Sequence, residues 1–438
     1  MPENPFTYGN PISNPERFIG RRREVEQVFS RLLNAEGESS SIVGERRIGK
    51  TSLLHTIMHP DVRSAHGADE NRYIFIYSDL QMIDPKTTAT RLAQRLFGQL
   101  ARQCNDAEIQ GMIEEMRQAP EIDNFALSDL FDTIDSKGLH VVFLLDEFEN
   151  VTGNPNFGPD FFYGLRSLAI QHNLTLVTSS RSELIELTHS EEIRSSPFFN
   201  IFANINVRLF TPEEARELVE RALTGSGIQF TQEEIAHIDV MAGRHPFFLQ
   251  MACHHLFTAY QQGLDPAGRA AYLREKYTEE AAPHLASFWH DATDSDKIVL
   301  TTLALLDRKG KASPHSFSLD RLRELYNRSE QTLAHLDKRG LLVQSKDGYG
   351  LFCSAISDWI IAEITDTMKD EQSYDDWLKS NPSTMERLSR DARSQMTDIL
   401  PKISAKYRDL LIDWVSDPRN LIAVAALIRG ALGMVGHS

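Results

Sequence analysis

The fold of this 438-residue chain is decided by residues 39–57, which read "SSSIVGERRIGKTSLLHTI". Within this stretch, residues 44–51 match the pattern G-x-x-x-x-G-K-[ST] at every fixed position. In such a loop the backbone N–H groups point inward and bind phosphate oxygens, and the following helix adds its positive end. The apolar run "SIV" before the loop and the amphipathic "TSLLHTI" after it fit this context. The stretch therefore predicts a strand, a phosphate-binding loop and a helix.

The residue types in this phosphate loop (residues 44–51) have separate chemical roles. Gly49 permits close approach of the backbone, Lys50 neutralises the β- and γ-phosphates, and the Thr51 hydroxyl is a ligand for Mg²⁺. We therefore predict that ATP or ADP binds here together with Mg²⁺. The residues predicted to contact the nucleotide are Gly44, Arg47, Ile48, Gly49, Lys50, Thr51 and Ser52. The partner of the arginines at 46 and 47 stays open between phosphate, a neighbouring subunit and water.

A second motif lies in residues 140–151, "HVVFLLDEFENV", where an apolar run ends in Asp146 and Glu147. We expect this run to be a buried strand beside the strand that precedes the phosphate loop. A carboxylate at the end of such a strand can hold the water shell of Mg²⁺, which predicts Asp146 as a metal-site residue. Glu147 follows it and is predicted to polarise the attacking water as a catalytic residue.

A third polar strand end occurs in "LTLVTSSRSEL", residues 174–184. If this run is also a strand of the sheet, its end lies on the same edge as the phosphate loop. Arg181 is then within reach of a γ-phosphate and is our candidate catalytic residue that senses it. A solvated surface arginine is the alternative.

Short apolar runs spaced by helical lengths predict the architecture of the first half of the chain. Four such runs are clear and a fifth is less pure: residues 41–43, 73–77, 141–145, 174–177 and 205–210. This spacing is typical of a parallel sheet covered on both faces, a three-layer α/β/α nucleotide-binding fold. Right-handed crossovers place the loops after these strands on one edge of the sheet.

The second half of the chain is predicted to be mainly helical. Thr211 and Pro212 with two following glutamates form a good helix start. Near residue 283 begins the order helix, helix, helix, hairpin, which is the order of a winged-helix domain. We divide the chain into an extended lead-in (1–17), a nucleotide-binding domain (18–210), a helical lid (211–282), a winged-helix domain (283–369) and a small helical C-terminal domain (370–438).

Composition limits the function classes. The formal net charge is −16, so a broad basic face for nucleic acid is not expected. The start of the chain lacks the pattern of a signal peptide, and the three cysteines are far apart in sequence, without metal-ligand spacing. The longest apolar tract, residues 421–434, is short for a membrane span and contains Arg429. We expect a cytoplasmic protein without a membrane segment.

Taken together, these motifs resemble the STAND family of signal-transduction P-loop ATPases, which is related to AAA+ ATPases. The resemblance covers roughly residues 15–365 and includes "FIGRRREVEQV", "GERRIGKTSLL", "FLLDEFE", "TSSR" and "GRHPFFLQMAC". It implies that the backbone of Phe18 and Ile19 lies near the adenine. It also implies that Pro246 packs near the base with His245 as a nucleotide neighbour, although His245 could equally be a core or helix-cap histidine.

The resemblance further implies a molecular switch with closed ADP and open ATP states, slow ATP hydrolysis and self-association in the ATP state. Family members usually carry an effector domain before the ATPase and long sensor repeats after the winged helix. In this sequence only residues 370–438 follow the predicted winged helix, so what the protein senses is open. These residues could recruit a protein partner through "LIAVAALIRGAL", or form a helical cap on the winged helix.

Two other functions remain as alternatives. An origin-recognition-like AAA+ ATPase or another DNA-bound regulator would read DNA with the winged helix. The third helix of that domain, "EQTLAHLDKRG", has only two basic residues, Lys338 and Arg339, and it also carries the acidic Glu330 and Asp337. We therefore favour an intramolecular or protein contact over DNA. A scaffold that keeps nucleotide for structure, without turnover, is the other alternative, and the presence of Glu147 argues against it.

Overall fold

The chain is described by a computed structural model over residues 3–312, 329–345, 348–365, 374–383 and 385–416. It divides into two compact units. The first unit comprises residues 8–222, and the second combines residues 1–7 with residues 223–438. The finer division into five parts stays a prediction.

The first unit is built on a five-stranded, fully parallel sheet with the strand order β2-β3-β4-β1-β5. The strands are β1 (Ser39–Val43), β2 (Tyr73–Asp79), β3 (His140–Asp146), β4 (Leu174–Ser180) and β5 (Phe202–Asn206). Four of them contain the apolar runs seen in the sequence. The predicted α/β nucleotide-binding fold with a parallel sheet is therefore confirmed.

Two details of the sheet correct our expectations. Strand β4 lies between β1 and β3, so the strand that ends at Asp146 is not the direct neighbour of the strand before the phosphate loop. The fifth strand occupies Phe202–Asn206 instead of residues 205–210. Its partner β1 ends at Val43, which pairs with Asn206, and beyond that point the phosphate loop offers no further strand for pairing.

Helices cover both faces of this sheet. The helices along residues 22–223 are α1 (Arg22–Leu32), α2 (Lys50–Met58), α3 (Pro60–Ala65), α4 (Ala89–Gln103), α5 (Ala107–Gln118), α6 (Asn124–Ser136), α7 (Glu149–Thr152), α8 (Pro159–Gln171), α9 (Glu191–Arg194) and α10 (Pro212–Leu223). Alternate residues of β3 enter two apolar clusters. Val141 and Phe143 pack with side chains of α4, α5, α6 and α8, whereas Val142 and Leu144 pack with side chains of α1 and α2. Burial on both faces explains why the strands are almost continuously apolar.

The second unit is mainly helical and contains one antiparallel hairpin. Its helices are α11 (Gln232–Ala242), α12 (Pro246–Gln261), α13 (Pro266–His290), α14 (Asp294–Ala312), α15 (Ser329–Lys338), α16 (Ser354–Ile364), α17 (Tyr374–Ser380), α18 (Arg390–Met396) and α19 (Ala405–Val415). The hairpin pairs β6 (Leu342–Ser345) with β7 (Gly348–Leu351). Helix α13 continues through Pro283, where we predicted a domain boundary. Among the described helices, none combines the length and the apolar character needed to cross a membrane.

Two predictions for the second unit concern residues that the structure does not describe. The second helix of the predicted winged-helix order, which we assign to "DRLRELY", residues 320–326, lies outside the described residues. The winged-helix order therefore stays a prediction, although the helices and the hairpin on either side of this stretch are present. The apolar segment "LIAVAALIRGAL", proposed as a partner-binding helix, also lies outside the described residues.

The described part of the C-terminal region packs within its own unit. The buried guanidinium of Arg408 donates to the carbonyl oxygen of Leu400 at 3.0 Å and lies 5.4 Å from the ring centres of Tyr374 and Trp377. The Tyr407 hydroxyl donates to Glu363 of α16 at 2.6 Å. These contacts join α17 and α19 to α16.

The start of the chain is anchored at two points. The buried ring of Phe6 stacks on Phe230 with 5.9 Å between ring centres, and its carbonyl oxygen lies 2.9 Å from Nδ1 of His254. Six residues later, the N–H of Ile12 donates to the hydroxyl of Ser52 in α2 at 3.0 Å. Each part of the predicted lead-in therefore packs within its own unit, Phe6 beside α12 and Ile12 beside α2.

Candidate functional site

The phosphate loop connects β1 to α2, and its backbone conformation explains its glycines. Gly49 has a φ angle of 104° and Arg47 a φ angle of 62°. The left-handed region is strained for residues other than glycine and is enriched at functional sites. At Gly44, a Cβ atom would lie 2.7 Å from the carbonyl oxygen of Val207. The loop shape thus requires glycine at both fixed positions, and Arg47 holds a strained conformation between them.

Lys50 is held at the centre of the phosphate loop. Its side chain is 4% exposed, and Nζ donates to the carbonyl oxygens of Gly44 at 3.0 Å and Glu45 at 3.3 Å. The same Nζ lies 4.0 Å from Oε1 of Glu147. The cation is therefore placed between the loop backbone and the predicted catalytic carboxylate.

Asp146 ends β3 and is hydrogen-bonded through both carboxylate oxygens. It is 2% exposed. Oδ2 accepts a hydrogen bond from the Tyr77 hydroxyl at 3.1 Å. Oδ1 accepts from the Glu147 N–H at 3.2 Å and also from the hydroxyl of Ser179 on the neighbouring strand β4. The carboxylate therefore has a fixed orientation at the edge of the sheet.

Glu147 combines a strained backbone with a shifted pKa. Its φ angle is 54°, in the left-handed region, and its N–H also contacts Ser179 Oγ at 3.1 Å. Burial, together with the nearby carboxylates of Glu149 and Asp146, raises the pKa of its carboxyl group to about 7 against the opposing effect of Lys50. A pKa near neutrality suits a group that takes a proton from water.

Arg181 directly follows β4, on the same edge of the sheet. Its N–H donates to Oε1 of Glu149 at 3.3 Å, and its side chain is half-buried. The carbonyl oxygen of Ser180, one residue earlier, accepts a hydrogen bond from the N–H of Gly44 at 3.1 Å. The end of β4 is thereby joined both to the phosphate loop and to the segment after Asp146.

The segment with Phe18 and Ile19 lies against the phosphate loop. Ile19 is buried, and Phe18 packs against the apolar cluster that contains Ile48. Arg21, a buried residue that our sequence analysis did not assign, donates to the carbonyl oxygen of Ile48 at 3.3 Å. Its guanidinium lies 4.7 Å from the ring centre of Phe210, and burial lowers its pKa. Arg21 therefore joins the segment before α1 to the loop backbone, and the proximity of this segment to adenine stays a prediction.

His245 and Pro246 belong to the second unit. The buried His245 ring lies among three phenyl rings, with ring centres 5.1 Å from Phe248, 6.0 Å from Phe288 and 5.6 Å from Phe352. Pro246 is the first residue of α12. Such an aromatic environment is typical of a histidine in a protein core. A role of His245 or Pro246 in nucleotide binding stays a prediction.

Sequence reasoning did not assign roles to Tyr77 and Ser179, although weak signals were present. Tyr77 is the last aromatic residue of the run "YIFIY", and Ser179 is one of three polar residues that end an apolar strand. Both side chains bond Asp146. These two contacts with Asp146 depend on the order of the strands, which is known only from the folded sheet.

The donor set fits a magnesium ion. The Thr51 hydroxyl and the Asp146 carboxylate are hard oxygen ligands, which Mg²⁺ prefers together with water and phosphate oxygens. Thr51 is half-buried in the first turn of α2. Oδ2 of Asp146 accepts one hydrogen bond and can accept a second interaction. Thr51 and Asp146 are thus suitable residues to hold the ion directly or through its waters.

A family model described as Novel STAND NTPase 2 matches residues 30–306, which is more than half of the chain. The protein is a member of this STAND NTPase family. The resemblance to STAND proteins inferred from the motifs is thereby confirmed, and with it the assignment as a P-loop NTPase. A search of curated proteins finds no match.

Two solved structures show the same fold as this STAND NTPase. A Walker-type ATPase of Pyrococcus abyssi is 16% identical with a TM-score of 0.51, covering 82% of this chain and 99% of its own. The ORC2 protein of Aeropyrum pernix, solved as ADPNP–ADP complexes, is 15% identical with a TM-score of 0.53, covering 82% of this chain and 98% of its own. At these identities the similarity concerns the fold alone.

Proposed function

We propose that this STAND NTPase is a switch driven by ATP. It binds ATP with Mg²⁺, hydrolyses it slowly to ADP and phosphate, and alternates between a closed ADP state and an open ATP state. The observation that carries this proposal is the convergence of Lys50, Asp146 and Glu147 on one edge of the sheet, beside a loop shaped for phosphate.

The chemistry follows from the positions of these groups. Backbone N–H groups of the phosphate loop and Nζ of Lys50 bind the β- and γ-phosphates. Bound Mg²⁺, held through Thr51 and Asp146, would supply charge neutralisation. Glu147 takes a proton from the attacking water, whose oxygen bonds to the γ-phosphorus. The bond from that phosphorus to the bridging oxygen breaks, and ADP leaves with the electron pair.

Switching requires that ATP and ADP bind the two states with different free energies. The groups proposed to contact the γ-phosphate, Lys50 and Arg181, can provide that difference because ADP lacks this phosphate. We propose that the ATP state self-associates and recruits a protein partner, with residues 370–438 as the region available for recruitment. Control of prokaryotic defence or regulation would suit such a switch.

Glu147→Gln separates turnover from binding. We expect ATP hydrolysis to fall by about 100-fold or more, because a positioned general base contributes roughly 10²–10⁴-fold. ATP affinity should persist, since the amide keeps the shape of the side chain. Phosphate release and equilibrium titration with ATP measure the two effects.

Glu114→Gln is a matched control for that experiment. Glu114 lies on the surface of α5, where its carboxylate pairs with Arg117 at 3.1 Å, so the change leaves the groups around Glu147 in place. We expect a much smaller loss of turnover than in Glu147→Gln. Equal turnover in wild type and Glu147→Gln, with ATP still bound, would support the scaffold that keeps nucleotide without hydrolysis.

The DNA-binding alternative is weakened by the environment of α15. Of the two cations near its end, Lys338 is exposed, but Arg339 is 8% exposed and lies 3.7 Å from the buried carboxylate of Asp296. A cation in a buried ion pair is not available to bind DNA phosphates. Strong salt-dependent DNA binding that is lost when Lys338 is replaced would restore this alternative.

A further inference from the structure

Tyr77 contacts both Asp146 and the helix that carries Thr51, the two residues of the proposed magnesium site. It lies on the edge strand β2, in register with Leu144 of β3, and its half-buried side chain reaches Asp146. Its hydroxyl donates to Asp146 Oδ2 at 3.1 Å. On the other side, its ring packs edge-on against the ring of His55, with 5.0 Å between ring centres. His55 follows Thr51 by one helical turn in α2.

The two oxygens of Asp146 are held in different ways. Oδ1 accepts hydrogen bonds from Ser179 on the neighbouring strand β4 and from the N–H of Glu147, the next residue in the chain. Among the described residues, Tyr77 provides the one hydrogen bond to Oδ2. The two oxygens turn together about the Cβ–Cγ bond, so donors on both oxygens restrict this rotation more than donors on one oxygen alone.

The Tyr77 hydroxyl is suited to act as a permanent donor. Burial raises the pKa of the phenol well above its usual value, and the carboxylates of Asp146, Asp79 and Glu147 raise it further. The hydroxyl is therefore protonated at neutral pH. The contact does not depend on a titration, and the donor and acceptor roles are fixed.

We propose that Tyr77 is a positioning residue for Mg²⁺, since its hydroxyl fixes the orientation of the Asp146 carboxylate relative to Thr51 on α2. This inference rests on the proposed binding of ATP with Mg²⁺. Residues that hydrogen-bond a metal ligand typically change metal affinity by roughly 10- to 100-fold when they are replaced. Tyr77 would thus set the Mg²⁺ concentration at which the nucleotide complex forms, without contacting the nucleotide.

Tyr77→Phe tests this inference, because phenylalanine keeps the ring against His55 and removes only the hydroxyl. Binding of a non-hydrolysable ATP analogue is titrated without divalent ions and at increasing Mg²⁺. We expect unchanged affinity without Mg²⁺ and a rise of roughly tenfold or more in the Mg²⁺ concentration for half-saturation. This readout does not involve turnover.

Tyr73→Phe is the matched control. Tyr73 lies on the same strand, and its buried ring packs near His140 with 5.1 Å between ring centres. We expect wild-type Mg²⁺ dependence in this variant. Wild-type Mg²⁺ dependence in Tyr77→Phe would overturn the inference, and so would an equal loss of affinity with and without Mg²⁺, which indicates packing alone. Absence of nucleotide binding in the wild-type protein would instead overturn the proposed function, and this inference with it.

Discussion

Lys50→Ala is expected to abolish tight nucleotide binding. Nζ of Lys50 lies at the centre of the phosphate loop, where two phosphate groups would accept charge-assisted hydrogen bonds from it. Such bonds contribute about 1.5–3 kcal/mol each. Loss of two corresponds to a decrease in ATP affinity on the order of 10²- to 10⁴-fold. Equilibrium titration with a fluorescent ATP analogue measures this loss directly.

Two comparisons show whether the loss comes from the missing charge. Lys137→Ala removes a lysine of the same unit that pairs with Asp106 at 3.5 Å and Glu108 at 2.9 Å on the surface, and it should leave ATP affinity unchanged. Lys50→Met keeps most of the buried stem and removes the charge, so it should bind as weakly as Lys50→Ala. Retention of wild-type affinity in both Lys50 variants, with the fold intact by circular dichroism, would contradict the assignment of the site.

Gly243→Ala is expected to cause a large loss of stability in the second unit. Gly243 ends α11 with a φ angle of 63° and a ψ angle of −157°, a region open essentially to glycine alone. An added Cβ would also overlap the carbonyl oxygen of Phe352, which is backbone and cannot rotate away. Backbone strain and overpacking cost about 1–3 kcal/mol each, so the free energy of unfolding should fall by roughly 2–6 kcal/mol.

Urea denaturation and hydrogen exchange in α11 and α12 measure that effect. Gly263→Ala is a control with a positive φ angle but without the close contact. Gly263 has a similar φ angle of 70°, but nothing lies within 4 Å of an added Cβ. This control should lose only about 1–2 kcal/mol, the cost of a left-handed residue. If both variants lost the same free energy, the close approach to Phe352 would have no energetic role.

The sequence predicted the strands, loop and helix of the nucleotide site more reliably than the order of the strands in the sheet. The strand, loop and helix of residues 39–57 follow from local chemistry, because each fixed residue meets a local backbone requirement. The apolar runs predicted four strands within a few residues. Strand order is a property of the whole sheet, and for this reason the position of β4 between β1 and β3 was not anticipated.

Because strand order could not be predicted, the contacts of Asp146 could not be predicted either. Tyr77, Asp146 and Ser179 are separated by more than thirty residues at each step, and they meet only because β2, β3 and β4 are neighbours. Arg21 was visible within a motif, but its contact with the Ile48 carbonyl depends on the packing of the segment before α1. Local sequence patterns thus predicted the residues that are expected to contact the nucleotide. The residues that orient them became visible only from the packing of the folded chain.

Sedimentation velocity of the wild-type protein in Mg²⁺ with ADP, and separately with a non-hydrolysable ATP analogue, tests the proposed switch most directly. Each nucleotide is present far above its dissociation constant, and Lys50→Ala serves as the unresponsive control. A switch predicts a compact species that does not self-associate with ADP, and a more open or larger species with the ATP analogue. Identical sedimentation in the two nucleotides, with both shown to be bound, would contradict the account.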